Sequence, residues 1–186
     1  MDKKQLSEQE IRTRYITPAL TKARWDRHQH IREEVFLTDG KIQVRGRMHS
    51  RGKQKFADYI LYYQRLPLVV VEAKGNRHSI GDGMQQALGY AEMIDAPFAV
   101  SSNWDGFLFH DRTGKAAQVE TELGLDAFPG PNELWDRYRD FKGFMPEAEK
   151  AITAITHPET VGSFPFPFWA FNYVPTPMTT PSAEIS

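Results

Sequence analysis

Phe56-Ala57-Asp58-Tyr59-Ile60-Leu61-Tyr62-Tyr63, followed shortly by Leu68-Val69-Val70-Val71-Glu72-Ala73-Lys74, is the stretch on which the fold turns. Leu68 to Val71 is an unbroken apolar run rich in β-branched residues, the pattern of a strand covered on both faces near the middle of a sheet. Working upstream, Phe56 to Tyr63, Ile42 to Met48 and Ile31 to Leu37 read as further strands, separated by a Gly52 break and an Asp39-Gly40 turn. These are expected to run as consecutive antiparallel strands. Downstream, Met84, Ala87, Leu88, Ala91 and Ile94 recur at helical spacing, which predicts a helix from Asp82, its N-cap after Gly81, to Ile94. Phe98 to Ser101 and Gly106 to His110 then return as strands. At the N-terminal end, Ser7 and Glu10 form a capping-box pattern at the head of a helix from Leu6 to Trp25 that Pro18 kinks or splits. Helix, strands, helix, strands is the order of an α/β layer: a central mixed sheet flanked by helices.

The sequence of 186 residues accommodates one ordinary domain with additional segments. Residues 1–128 are expected to form the domain. Pro129, Gly130 and Pro131 open a linker with a short amphipathic helix around Glu133 to Phe141, covering 129–155. Half of the 12 prolines fall in a tail over 156–186, interleaved with Phe164, Phe166, Phe168, Trp169 and Tyr173. Proline at that density excludes a regular helix or a central strand there. With 23 Lys+Arg against 24 Asp+Glu the net charge is −1, so any nucleic-acid contact must come from a local patch. The absence of cysteine excludes disulfides, thiolate metal sites and a cysteine nucleophile. No phosphate-loop or dinucleotide glycine pattern occurs, nor a paired-histidine zinc motif. No apolar run approaches the ~18 residues of a membrane span, and the first residues carry no signal-peptide core, so a cytoplasmic location without membrane association is expected.

The chemistry concentrates on the opening stretch. Residues two apart in a strand share a face, so Glu72 and Lys74 project together from the end of the valine strand, and if the two strands are neighbours Asp58 can join them. Two carboxylates, with the Ala73 carbonyl as a third oxygen, suit a hard divalent cation such as Mg²⁺ or Mn²⁺. A lysine beside them orients a water or stabilises phosphate charge. This is the equipment of metal-assisted phosphodiester hydrolysis. An isolated Glu-x-Lys is equally an exposed ion pair at a strand end. Context lifts the site reading without displacing the ion pair, because charge abutting a buried valine strand is placed where a sheet rarely tolerates it. Gln86 and Tyr90, four apart, read as a polar pair on the second helix roughly opposite its apolar line, either a solvated face or part of the site. Between Gly40 and Ala57 there is no acid, while Lys41, Arg45, Arg47, Arg51, Lys53 and Lys55 are all basic. Such a hairpin either tracks a phosphate backbone or blunts a solvated edge strand; the functional reading is favoured in a chain otherwise near neutrality.

Together, Ser7-Glu8 leading to Ile16-Thr17-Pro18-Ala19-Leu20, Ile31-Arg32-Glu33-Glu34, Ala57-Asp58-Tyr59, Val71-Glu72-Ala73-Lys74, Gln86-Ala87-Leu88-Gly89-Tyr90, Asn103, Gly106-Phe107-Leu108-Phe109 and Glu133-Leu134-Trp135 resemble the PD-(D/E)xK nuclease superfamily. The set looks most like the N-terminal nuclease domain of the restriction (R) subunit of type I restriction-modification enzymes, in the type IB subfamily. The resemblance covers about Ser7 to Gly143. It implies a restriction-endonuclease-like fold and Mg²⁺-dependent cleavage of double-stranded DNA within a complex with modification and specificity subunits. It implies Asp58 and Glu72 as metal ligands, Lys74 as the catalytic lysine, Gln86 with Tyr90 as a Q-x-x-x-Y motif, and Glu8 as an acid supporting the metal through water. ATP would enter only through helicase-like motor domains, which this chain lacks. Where the family often has Asn-Gly, this sequence has Asn103-Trp104-Asp105-Gly106, and from about Glu147 it departs from the family pattern. The alternative reading is a non-catalytic DNA-binding or assembly module with a nuclease-like fold.

Overall fold

The computed structural model describes residues 6–37, 55–75 and 77–144. The basic stretch with Arg45, Arg47, Arg51 and Lys53, expected as a hairpin with a strand over Ile42 to Met48, and the tail over 156–186 lie outside the described residues.

Six strands form one sheet in the order β1 to β6: β1 Ile31–Leu37, β2 Lys55–Tyr63, β3 Leu66–Ala73, β4 Phe98–Ser102, β5 Gly106–Asp111 and β6 Glu120–Gly124. Every neighbouring pair is antiparallel except β3 and β4, which are parallel and joined by helix α3, Met84–Met93. The valine strand therefore sits inside the sheet, as its pattern requires. Val69 and Val71 pack with the core on one face and Val70 with that on the other. Strand β6 was not foreseen, because Glu-Thr-Glu-Leu-Gly is largely exposed and carries no apolar alternation. The β2–β3 connection is a two-residue turn at Gln64 and Arg65, both at positive φ (46° and 67°), and it lacks the Asn-Gly signature that makes such turns legible.

The N-terminal helix forms from its expected cap. The Ser7 hydroxyl accepts from the Glu10 backbone N–H, and the Glu10 carboxylate accepts from that of Ser7. The helix is not uniform. It runs as α1 Glu8–Ile11, a π-helical turn Arg12–Ile16, then α2 Thr17–Lys22. Pro18 has no N–H to give and would crowd the turn before it. The chain widens instead, and the Thr17 N–H donates to the Arg12 carbonyl five residues back. Ile11, Ile16, Leu20 and Trp25 cover one face of the sheet with Leu134 and Trp135 of α4, Pro131–Lys142; α3 covers the other. Trp25 Nε1 donates to the Pro129 carbonyl at 2.9 Å, tying the segment before α4 to this core.

Candidate active site

Register builds the site. The pairing of Tyr59 with Val71 on one side and with Glu33 on the other brings Asp58 level with Glu72 of β3 and with Glu34 of β1. Like charges opposite one another destabilise a sheet, so this row of acids needs cations. Lys74, just past β3, sends Nζ to Glu72 Oε1 at 3.0 Å and to Gln86 Oε1 at 3.0 Å. On the other side Arg12 Nη1 stands 3.4 Å from Asp58 Oδ1 and 3.0 Å from Glu34 Oε1. Asp58 Oδ2 accepts the Ala73 backbone N–H at 2.8 Å, a side chain occupying a position the ladder would otherwise use.

Glu72 is buried, 3% exposed, and its Oε2 is buried without a hydrogen-bond partner among the described residues. Burial pushes its carboxyl up to about 7; Asp58 adds to the rise and Lys74 opposes it. Burial alone would lower the Lys74 ammonium, but Glu72, Glu8 and Asp58 outweigh it and raise it, so the lysine is a cation at neutral pH. Glu8, exposed in the first turn of α1, thus acts on both groups through its field and, among the described residues, makes no hydrogen bond to either. An ionised carboxylate oxygen buried without a donor is what a cation would satisfy, and the second carboxylate lies level with it.

The helix of Gln86 and Tyr90 differs from its sequence reading in two ways. Tyr90 is not on a polar face: it is 8% exposed and belongs to the core beneath α3, with only its hydroxyl reaching the exposed Gln86, whose Nε2 donates to it at 3.0 Å. The pair is thus a bridge from core to site, running from the Tyr90 hydroxyl through the Gln86 amide to Lys74 Nζ. Asp82 is not the N-cap either. Its carboxylate turns back to the Ser79 hydroxyl and N–H and to His78 Nδ1, and Gly83 takes the cap position. Lys55, the one member of the basic set within the described residues, has its Nζ 3.9 Å from Met93 Sδ of α3.

Sequence reasoning missed three residues at the site. Gly83 donates its N–H to the buried Ser101 Oγ at 3.0 Å, and a Cβ there would lie 2.8 Å from that oxygen, 3.1 Å from Glu72 Cγ and 3.2 Å from Lys74 Cε. Ser101 pairs in register with Glu72 across the parallel ladder. Arg12 is the third. A signal existed for it: Arg12, Ile16, Ala19 and Leu20 share one helical stripe, which puts a charge in an otherwise apolar line.

Residues 42–118 match the family described as type I restriction enzyme R protein N terminus. Over that stretch the chain resembles these R-protein N termini. It is 41% identical over 162 residues to the type I restriction enzyme EcoAI endonuclease subunit of Escherichia coli, a match covering 86% of this chain and 20% of that protein. It is also similar to the solved structure of an HsdR-subunit fragment of a type I restriction enzyme from Vibrio vulnificus, with a TM-score of 0.63 and 39% identity over 76% of this chain and 27% of that one. The mixed six-stranded sheet with flanking helices is therefore the α/β, nuclease-like arrangement expected from the sequence. The chain spans about a fifth of the E. coli relative and about a quarter of the Vibrio chain. Among the described residues no helix is long and apolar enough to cross a membrane.

Proposed function

We propose that this chain is the DNA-cleaving unit of a type I restriction enzyme R subunit, cutting double-stranded DNA by Mg²⁺-dependent phosphodiester hydrolysis in the cytoplasm, alongside modification and specificity subunits. The observation that carries the reading is Glu72 Oε2, a buried carboxylate oxygen without a hydrogen-bond partner among the described residues, level with Asp58 and beside Lys74. Asp58 and Glu72 would hold the metal, with the Ala73 carbonyl as a further oxygen and Glu8 supporting it through water. A divalent cation bound there supplies Lewis-acid stabilisation of phosphate charge and a more acidic water. Lys74 spends two of its three N–H donors on Glu72 and Gln86, and the third is available to the scissile phosphate or the attacking water. Gln86, anchored on Tyr90, keeps the ammonium from swinging away. Arg45, Arg47, Arg51, Lys53 and Lys55 contribute affinity that does not depend on sequence and weakens with salt. Leu134 and Trp135 complete the core, so the unit in this reading extends past residue 128 through α4.

The test is cleavage of supercoiled plasmid with Mg²⁺ by the assembled enzyme carrying the native residues, Asp58→Ala, Glu72→Ala or Lys74→Ala, with the melting temperature of each recorded. Loss of cutting in all three at an unchanged fold is the expected result. Equal cutting by all four proteins would refute the site, and no cutting by any of them, with metal still bound, would assign the chain to a DNA-binding or assembly role.

A further inference from the structure

Arg12 takes no part in the chemistry above, yet it is among the most confined charges of the described residues. Its side chain is 7% exposed, and its Nε is buried without a partner among the described residues. A buried guanidinium with an unsatisfied N–H is unfavourable unless the charges around it compensate. Nη1 lies between Glu34 Oε1 at 3.0 Å and Asp58 Oδ1 at 3.4 Å, Nη2 reaches the Asp58 carbonyl at 3.4 Å and Glu33 Oε2 at 3.6 Å, and the group lies 5.0 Å over the Tyr59 ring.

Two features make this more than an ion pair. First, the arginine's shorter bond is not to the partly buried Asp58 but to Glu34, whose side chain is 65% exposed. Second, Glu34 holds φ at +51°, which a non-glycine residue adopts at a cost, and it does so directly across the ladder from Asp58. The backbone is bent at the point that supplies Arg12 with a second anion.

We infer that Arg12 is a stand-in cation for the metal: it balances Asp58 in the metal-free site, gives up Oδ1 when the divalent ion arrives, and is retained by Glu34. This rests on the assignment of Asp58 and Glu72 as ligands. A guanidinium and a divalent cation repel at such range, so one carboxylate oxygen is not held equally by both. The guanidinium has only to lean along the acid row toward a partner it already touches. Arg12 is thus a positioning residue, and Glu34 sets how readily it yields.

The experiment is calorimetric titration of the 186-residue chain with Mn²⁺, comparing wild type, Arg12→Gln, Glu34→Gln and the double variant. Removing the competitor in Arg12→Gln is expected to tighten binding ~10-fold, from a unit charge at an effective dielectric near 20 partly screened by salt. Removing the exposed retaining acid is expected to weaken it ~3-fold. In the double variant the Glu34 effect should vanish, because Glu34 acts through Arg12. Equal Glu34 effects with and without Arg12 would mean a through-space field only, and weaker binding in Arg12→Gln would make the arginine a support for the ligand; either overturns the inference. Should Arg12→Gln melt below the assay temperature, Arg12→Lys replaces it, and its single ammonium must reduce the Glu34 effect below that in wild type. Failure of the underlying assignment reads differently: Mn²⁺ binding that survives Asp58→Asn and Glu72→Gln, or a wild type that does not bind, removes the site itself and the inference with it.

Discussion

Replacing Gly83 with alanine adds one methyl group at the tightest point of the site. Its backbone, at φ −86°, ψ −8°, suits any residue, so the substitution carries no conformational strain and restricts the unfolded chain, a gain of about 0.4–1 kcal/mol. Against this stands contact. The new Cβ would meet Ser101 Oγ at 2.8 Å, Glu72 Cγ at 3.1 Å and Lys74 Cε at 3.2 Å, and Ser101 is fully buried on an interior strand. Overpacking of this kind costs about 1–3 kcal/mol. The net is a loss of about 1–2 kcal/mol, or a fall of roughly 3–8 °C in Tm for a domain of this size. The functional loss should be far larger. Either the helix start moves, or Glu72 and Lys74 move by several tenths of an ångström, and misplacement approaching 1 Å costs about 100-fold in rate. The assay pairs thermal melting with plasmid cleavage by the assembled enzyme. The control is Gly89→Ala on the same helix, where nothing lies within 4 Å of the added carbon and about 0.5–1 kcal/mol of stabilisation is expected. Normal cutting by a folded Gly83→Ala protein would refute the claim that the helix start defines the catalytic geometry.

Three further outcomes follow. Because burial raises Glu72 from its ordinary range to about 7, folding favours its neutral form, and the metal-free protein loses this stability as pH rises from about 4.5 through 7; Glu72→Gln should therefore melt higher than wild type at pH 8 and alike at pH 4, and a lower Tm at pH 8 would contradict the burial argument. Tyr90→Phe keeps the buried ring and removes only the hydroxyl that anchors Gln86, so Tm should change by no more than about 2–4 °C while cleavage falls about 5–10-fold, and an unchanged rate would detach the pair from catalysis. Replacing Gln64-Arg65 with Asn-Gly relieves two positive-φ positions in the β2–β3 turn and should stabilise the chain by about 1–2 kcal/mol in urea melts, a gain that fails to appear if the native side chains compensate for the turn.

The sequence disclosed the core elements closely and the site only in part, for a physical reason. Val69 to Val71 announce a two-faced strand because burial on both sides leaves no room for alternation, and the Ser7–Glu10 cap follows from local chemistry alone. Asp58, Glu72 and Lys74 were legible because their types and strand parity limit what they can do together. Arg12, Gly83 and Ser101 come from three different elements, and only the packing of the N-terminal helix and α3 against β2, β3 and β4 brings them to the acids of the site. Tyr90 shows the limit from the other side. Its spacing from Gln86 was read correctly, but an aromatic ring with a polar tip can lie in the core and still serve the surface, which helical phase alone does not reveal.

The π-helical turn at Arg12–Ile16 has a consequence for how this helix is aimed. A uniform α-helix advances by about 100° per residue, so the direction of every side chain is locked to that of every other. The wider turn acts like a single inserted residue and breaks that lock. Ile16, Ala19 and Leu20 keep the azimuth the sheet demands, while Arg12, at the other end of the wide turn, turns its guanidinium to Asp58 and Glu34. One continuous helix thereby carries two independently phased segments, the first seating Ile11 in the core while its neighbour Arg12 reaches the acids.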